Sequence, residues 1–153
     1  MTVRHETTAV RGHRPWTARP LWQIGLGSAV LAAGASLLVY AIARAVGVPM
    51  ELTEVFEDQF RRMPVQNMAF AALLDGGMSG TVLAVLCRRW ARRPRLYFLV
   101  LTGIGFLASF VLPIVSDATT ATKVALSIGH VVVAAIIVPA LAAALPRGTT
   151  RLG

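Results

Sequence analysis

Cysteine is almost absent from this 153-residue chain, in which Cys87 is the only one. A single cysteine excludes an internal disulfide, a C-x-x-C redox pair and a cysteine-based metal site. Histidine is scarce too: besides His130 there are only His5 and His13, both in the N-terminal tail, so a bis-imidazole haem site lacks its second ligand. Phosphate-binding, zinc-protease and serine-hydrolase motifs are also missing. The sequence therefore predicts no metal and no cofactor, and nothing in it indicates an enzyme.

Charged residues make up only 14% of the chain, against about 25% in soluble domains. With 56% hydrophobic residues, this composition argues against a disordered protein and, where the apolar residues are contiguous, against a soluble one. The charges are unbalanced, because 15 Lys and Arg outnumber 7 Asp and Glu and give a net charge of +8. Such a basic chain first suggests a nucleic-acid partner, but that interpretation requires a basic patch on a soluble surface.

Four long apolar runs take up most of the sequence. They cover residues 21–46, 66–87, 96–116 and 122–145. Each has about 20 residues or more, the length at which a helix crosses a hydrocarbon core of about 30 Å. Because a backbone in lipid has to satisfy its own hydrogen bonds, each run is predicted to be a helix. The expected fold is all-α, a four-helix transmembrane bundle in residues 21–146, between a disordered basic tail (residues 1–20) and a short tail (residues 147–153).

The basic residues indicate how the chain is threaded. Eleven lie on the side of the two tails and of the loop between the second and third runs, and four lie on the other side. That loop contributes Arg88, Arg89, Arg92, Arg93 and Arg95. Lys and Arg in short loops mark the cytoplasmic side, so both termini are predicted to be cytoplasmic. The net positive charge is then explained by membrane topology, so it no longer indicates a nucleic-acid partner. The arginine loop is either only that signal or also a site for anionic lipid headgroups.

The longest loop, between the first and second runs, has helical periodicity. Its apolar residues are Leu52, Val55, Phe56, Phe60 and Met63, which fall on one helical face. Pro49 suits a helix start and Pro64 a helix end. The sequence predicts a short amphipathic outer helix over about residues 50–63, which either lies in the headgroup plane or closes a cavity as a lid.

One acid and one histidine remain inside the apolar runs. Asp75 lies nine residues below Gln66 in the second run, and His130 lies eight residues below Thr122 in the fourth. At about 1.5 Å per residue the two are predicted to share one depth, where Asp75 can accept a hydrogen bond from His130 if the two helices face each other. Intramembrane ionisable residues are often functional. The pair is therefore either a proton-sensitive or ligand-binding site, or a structural hydrogen bond between helices.

Small and hydroxyl-bearing residues complete the candidate site. Ser36, Tyr40 and Ser109 lie at a similar depth and could line the same outer-half pocket, although hydroxyls in helices often bond to a carbonyl of their own helix. The Gly76-x-x-x-Gly80 pattern allows another helix to approach closely, and Gly103 could do the same on the third run. Pro113 and Pro139 lie inside the third and fourth runs and predict a kink in each.

The start of the fourth run carries a pattern shared with a known group. The residues Thr120, Lys123, Leu126, His130 and Ala134 give T-x-x-K-x-x-L-x-x-x-H-x-x-x-A. With its short basic loop and its outer loop, the chain resembles, over about residues 20–146, a family of small actinobacterial four-span membrane proteins of unknown function. The resemblance implies a multi-pass protein of the bacterial plasma membrane. Asp75 is not part of the pattern, so His130 is the better candidate for a shared role.

The sequence leaves three functions open. The first is a non-enzymatic accessory or interaction subunit, which binds the lipid bilayer and a partner membrane protein or a second copy of itself. The second is a small transporter or channel, either proton-linked or not, with an outer-half pocket at Asp75 and His130; it has to oligomerise, because four helices rarely enclose a pore. The third and weakest is a membrane enzyme acting on a lipid-soluble substrate.

Overall fold

The computed structural model describes residues 20–53, 60–62, 64–115 and 117–147. The two predicted tails therefore lie outside the described residues, except for Pro20 and Arg147. In chain order the elements are α1 (Leu21–Ala45), strand β1 (Glu51–Thr53), strand β2 (Phe60–Arg62), α2 (Val65–Trp90), α3 (Pro94–Ser109), α4 (Val111–Val115) and α5 (Thr120–Ala144). Within the described ranges α1, α2 and α5 are long and apolar enough to cross a membrane, and α3 is a shorter apolar helix. The predicted helical bundle is thus confirmed.

Small residues bring α1 and α2 together in opposite directions. A Cβ added to Gly25 would meet Thr81, and one added to Gly77 would collide with Ala29. Because the residue number rises along α1 as it falls along α2, the two helices are antiparallel. The buried face of α1 has helical spacing and is mostly small, comprising Leu21, Ile24, Gly25, Ser28, Ala29, Ala32, Ala33, Ser36 and Ala43. Small side chains on both helices let the backbones approach closely.

Two groups of buried residues mark the two ends of the bundle. One cluster joins Leu21 at the start of α1 to Cys87 near the end of α2, and to Phe98 and Leu145. The second cluster lies at the opposite end and consists of Ala43, Met50, Met68, Ala125 and Leu126. The chain therefore passes back and forth between two ends, which we name the Leu21 end and the Met50 end.

The third apolar run is broken, which corrects the predicted continuous span over 96–116. Helix α3 ends at Ser109, Phe110 is a turn, and a separate short helix begins at Val111. The cause is Pro113, because a proline has no N–H to donate to the carbonyl four residues earlier, which is that of Ser109. The Phe110 N–H bonds instead to the Leu107 carbonyl at 3.2 Å. Pro139 has a different outcome, since α5 continues through it to Ala144.

The predicted amphipathic helix over 50–63 is wrong at both of its ends. Residues 51–53 and 60–62 form an antiparallel pair of strands in which Glu51 is opposite Arg62; residues 54–59 and 63 lie outside the described residues. Upstream, the Arg44 guanidinium donates to the carbonyls of Val48 and Pro49 at 3.1 and 3.0 Å. Met50 is fully buried with a positive φ of 53°. These contacts fix the chain before β1 in a conformation that cannot start a helix, and strand pairing satisfies the backbone instead.

Large apolar side chains cover the outside of the described bundle. Leu31, Ile104 and Leu107 are between 61% and 70% exposed, and each lies on a different turn of α1 or α3. The aromatic residues Trp22, Trp90 and Tyr97 are exposed as well, all at the Leu21 end. This outer surface is far more apolar than that of a soluble protein, and it fits the hydrocarbon of a bilayer better than water.

Candidate functional site

A cavity of about 520 Å³ lies among α2, α3 and α5, with one residue from α1 at its edge. Its polar lining consists of Ser36, Asp75, Ser79, Thr102, Ser109 and His130. The rest of the wall is glycine, alanine and larger apolar residues, among them Phe98 and Phe106. The volume lies within the range of about 300–1,000 Å³ that is typical of small-molecule sites.

Asp75 stands on an irregular part of α2. Residues Ala71–Met78 form a π-helical segment between two α-helical ones. Segments of this kind are rare and frequently occur at functional sites. Asp75 is exposed, and it lies ten residues after Val65, the first residue of α2. Its carboxylate has no hydrogen-bond or ion-pair partner among the residues that the structure describes.

His130 reaches the same cavity from α5. It is half-buried and lies ten residues after Thr120, the first residue of that helix. Its Nδ1 is 2.8 Å from the Leu126 carbonyl oxygen, and its ring centroid is 6.1 Å from that of Phe110. A carbonyl can only accept, so Nδ1 carries the proton. In the neutral imidazole Nε2 is then left as an acceptor.

Asp75 and His130 share a cavity, but within the described part of the chain no hydrogen bond joins them. The contact between α2 and α5 explains why. A Cβ on Gly76 would lie 2.9 Å from atoms of both Val133 and Ile137, so the level of residue 76 on α2 matches residues 133–137 on α5. His130 is therefore about one turn, or roughly 6 Å, closer to the Met50 end than Asp75. Asp75 precedes Gly76 by one residue, so it points to a different side of the helix from the Gly76 contact.

Two of the three hydroxyl residues expected to line the site do so. Ser36 is buried at the edge of the cavity, and Ser109 lines it while its hydroxyl donates to the Phe106 carbonyl at 2.6 Å. Tyr40 is not part of the cavity wall; it packs against the buried cluster at the Met50 end. The sequence did not single out Ser79, Thr102 or Phe106, although each recurs at helical spacing from Asp75 or Ser109.

The glycines predicted to pack helices have different surroundings. Gly76 contacts α5, and a Cβ on Gly80 would lie 3.4 Å from Leu141 and 3.5 Å from Ile137. Gly103 makes no such approach, because outside its own stretch of helix no heavy atom of the described residues lies within 4 Å of its Cβ position. Among the glycines that the structure describes, Gly25 and Gly77 are the most tightly packed, against Thr81 and Ala29, and the sequence did not identify these contacts between α1 and α2. On α1 a glycine or alanine at every fourth position, Gly25, Ala29 and Ala33, is the signal that could have found them.

The charged residues gather unequally at the two ends. The arginines of the loop between α2 and α3 (Arg88, Arg89, Arg92, Arg93 and Arg95) lie at the Leu21 end, and so does Arg147. At the Met50 end Arg44 is bound to backbone carbonyls, and the Lys123 ammonium donates to the Ile114 carbonyl at 2.8 Å, at the end of α4. Among the residues that the structure describes, no group of three or more His, Cys, Asp and Glu side chains could hold a metal.

Comparison with known proteins gives one match. The model of a family of unknown function, DUF6069, matches residues 16–147, so the chain belongs to this family. No curated protein and no solved structure matches it.

Proposed function

We propose that this DUF6069 protein is a four-span protein of the bacterial plasma membrane that binds a small lipid-soluble molecule in the cavity among α2, α3 and α5. The observation that carries the proposal is the cavity itself: two ionisable residues from different helices line it without bonding to each other. If the two served only to join helices, a direct contact would be expected, because an unsatisfied polar group in hydrocarbon is costly.

The membrane location is supported by three helices and by what surrounds them. Helices α1, α2 and α5 have 25 or 26 residues each, about 38 Å of helix and more than a hydrocarbon core requires. Helix α3 has 16 residues and is too short by itself. In the proposal α3 and α4 together make the third span, broken at Phe110, and the break lies beside His130 at the cavity.

The orientation is supported by the charges at the two ends. Six described arginines lie at the Leu21 end, where exposed Trp22, Trp90 and Tyr97 suit the headgroup level. We propose that this end and both termini face the cytoplasm, and that the arginine loop contacts anionic headgroups. Reporter fusions at Gly153 and within residues 54–59 test this orientation. A periplasmic signal from the C-terminal fusion would contradict it.

The other functions indicated by the sequence stay predictions. A transporter would share the binding step proposed here and would need a second opening. An accessory subunit would need a partner protein, and the cavity gives no argument for one. An enzyme would need a reacting group, which the two separated side chains do not supply as a pair.

Filling the cavity tests the proposed function. Ala134 lines the cavity, whereas its neighbour Ala135 is exposed on the outside of α5. The probe is naphthylmethanol, a neutral molecule, titrated into protein in phosphatidylcholine nanodiscs with empty nanodiscs subtracted. We expect saturable binding to the unmodified protein and to Ala135→Trp, and its loss in Ala134→Trp, because the indole occupies the cavity.

A second pair of variants tests the cavity independently, in case Ala134→Trp loses binding because it misfolds. Gly105 lines the cavity from α3 and Gly103 does not, and neither has a heavy atom of the described residues within 4 Å of its Cβ position. Gly105→Leu should weaken naphthylmethanol binding and Gly103→Leu should leave it unchanged. Equal binding by both members of each pair would show that the cavity is not the binding site.

A further inference from the structure

We infer that the cavity selects a lipophilic amine in its protonated form, a molecule with an apolar body and an N–H-bearing positive charge. The inference rests on the proposed function and names the class of ligand for the same site. It follows from a comparison of the hydrogen-bonding groups of the cavity wall that already bond to the backbone with those that remain for a ligand.

Four of the five donor side chains of the wall, all except Ser36, are turned toward their own helices. The Ser79 hydroxyl donates to the backbone carbonyls of Leu74 and Asp75, and the Thr102 hydroxyl to the Phe98 carbonyl. Ser109 donates to Phe106, as described above. The Nδ1–H of His130 is held by Leu126 in the same way. Each of these four side chains has therefore placed its proton on backbone, which leaves lone pairs for a ligand.

Apart from the Ser36 hydroxyl at the edge of the cavity, the remaining polar groups of the wall are acceptors. They are the Asp75 carboxylate, Nε2 of His130 and the hydroxyl oxygens of the three residues just described. A ligand that brings only acceptors, such as a ketone or a carboxylate, would leave these groups unsatisfied. A ligand that brings N–H donors satisfies them, and an ammonium also supplies a charge opposite to that of Asp75.

The described part of the chain offers Asp75 no countercharge of its own. Arg44 and Lys123, the basic side chains described at the Met50 end, are bound to backbone carbonyls. The arginine loop and Arg147 are at the opposite end of the bundle. A carboxylate in a membrane is costly unless it is paired, so a cation from outside the chain lowers the free energy of the site.

The apolar part of the wall suits the remainder of such a ligand. Phe98 and Phe106 line the cavity, and Phe110 packs edge-on against Phe106 with a centroid distance of 4.9 Å. An aromatic face attracts an organic cation more strongly when water is excluded. Glycine and alanine on α2, α3 and α5 leave the space in which an aromatic or aliphatic body fits.

Three probes that share one apolar body test the inference. They are naphthylmethylamine, naphthylmethanol and naphthoic acid, titrated into the protein in phosphatidylcholine nanodiscs at about pH 8, where an ordinary imidazole is neutral. We expect the amine to bind on the order of tenfold more tightly than the alcohol, since a hydrogen bond to a charged group has about that value. The acid should bind most weakly.

Variants of the acid identify the source of that preference. Asp75→Asn should remove the preference for the amine over the alcohol, and Asp75→Glu should retain it. Asp117→Asn is the matched control, because Asp117 is exposed and outside the cavity, so the same charge is lost elsewhere. Equal binding of amine and alcohol by the unmodified protein, or an amine preference that survives Asp75→Asn, would overturn the inference while leaving the proposed function intact. The absence of saturable binding for all three probes would overturn the proposed function as well.

Discussion

The side of α2 that faces α1 is closed, whereas the side that faces α3 and α5 is open around a cavity. Both sides carry glycine, so glycine on α2 does not decide which side closes. On the closed side the partner helix offers Ala29 and a second glycine, and the backbones come together. On the open side α5 offers Val133, Ile137 and Leu141, whose side chains hold the helices further apart. Small residues that face each other, as Ala29 and Gly77 do, make a close contact, and a glycine that faces the long side chains of α5 leaves space beside it.

The largest expected effect comes from adding one methyl group to the closed side. Gly77→Ala places a Cβ against Ala29, where the backbones of two helices would have to move apart, so we expect a loss of about 1–3 kcal/mol in the free energy of unfolding. The measurement is a denaturation midpoint in mild detergent. Gly27→Ala is the control, because no heavy atom of the described residues lies within 4 Å of that position.

A compensating substitution makes this prediction stricter. Exchanging the two residues, in the double variant Ala29→Gly with Gly77→Ala, restores one methyl group at the contact and should recover most of the lost stability. A double variant that is less stable than Gly77→Ala alone would show that the closed side is not held by this contact.

Many of the elements that form the two sides of α2 could be predicted from the sequence, because the membrane constrains whole helices. Uninterrupted apolar runs predicted α1, α2 and α5 to within a few residues, since a membrane leaves the backbone only the helix. The Gly76-x-x-x-Gly80 pattern was recognised, and in the structure both glycines approach α5. Ser36, Asp75, Ser109 and His130 were singled out together, and all four line one cavity. Their role in binding a ligand stays a prediction.

The remaining features depend on contacts that no local pattern encodes. The strand pair at residues 51–53 and 60–62 depends on Met50 and Arg44 fixing the chain before it. The relative depth of Asp75 and His130 depends on how far α2 is shifted along the bundle axis relative to α5. Counting residues from the ends of the apolar runs assumes that this shift is zero. The break in the third run, by contrast, was accessible from the sequence, because Pro113 cannot donate to the carbonyl of Ser109, four residues earlier, and α3 ends at Ser109.

A smaller effect is expected on the open side. Gly76→Ala brings a Cβ to 2.9 Å from Ile137 Cδ1 and Val133 Cγ1, which are side-chain ends and not backbone. The isoleucine end can rotate into the neighbouring cavity, and alanine also favours the helix over glycine, so the net loss should be under about 1 kcal/mol. Gly103→Ala, with open space around it, should instead gain up to about 1 kcal/mol. A loss from Gly76→Ala as large as that from Gly77→Ala would show that the two sides are equally tight.

The smallest effect is expected between the two ionisable residues of the open side. In a double-mutant cycle with Asp75→Asn and His130→Gln, the losses in unfolding free energy should add to within about 0.5 kcal/mol in the ligand-free protein, because the side chains share a cavity but no bond. The same cycle on the affinity for naphthylmethylamine should be non-additive, since one ligand would contact both acceptors. A coupling above about 1 kcal/mol without ligand would mean that the residues stabilise the bundle as a pair. The open side would then be a structural contact, and the contrast with the closed side would no longer indicate a binding site.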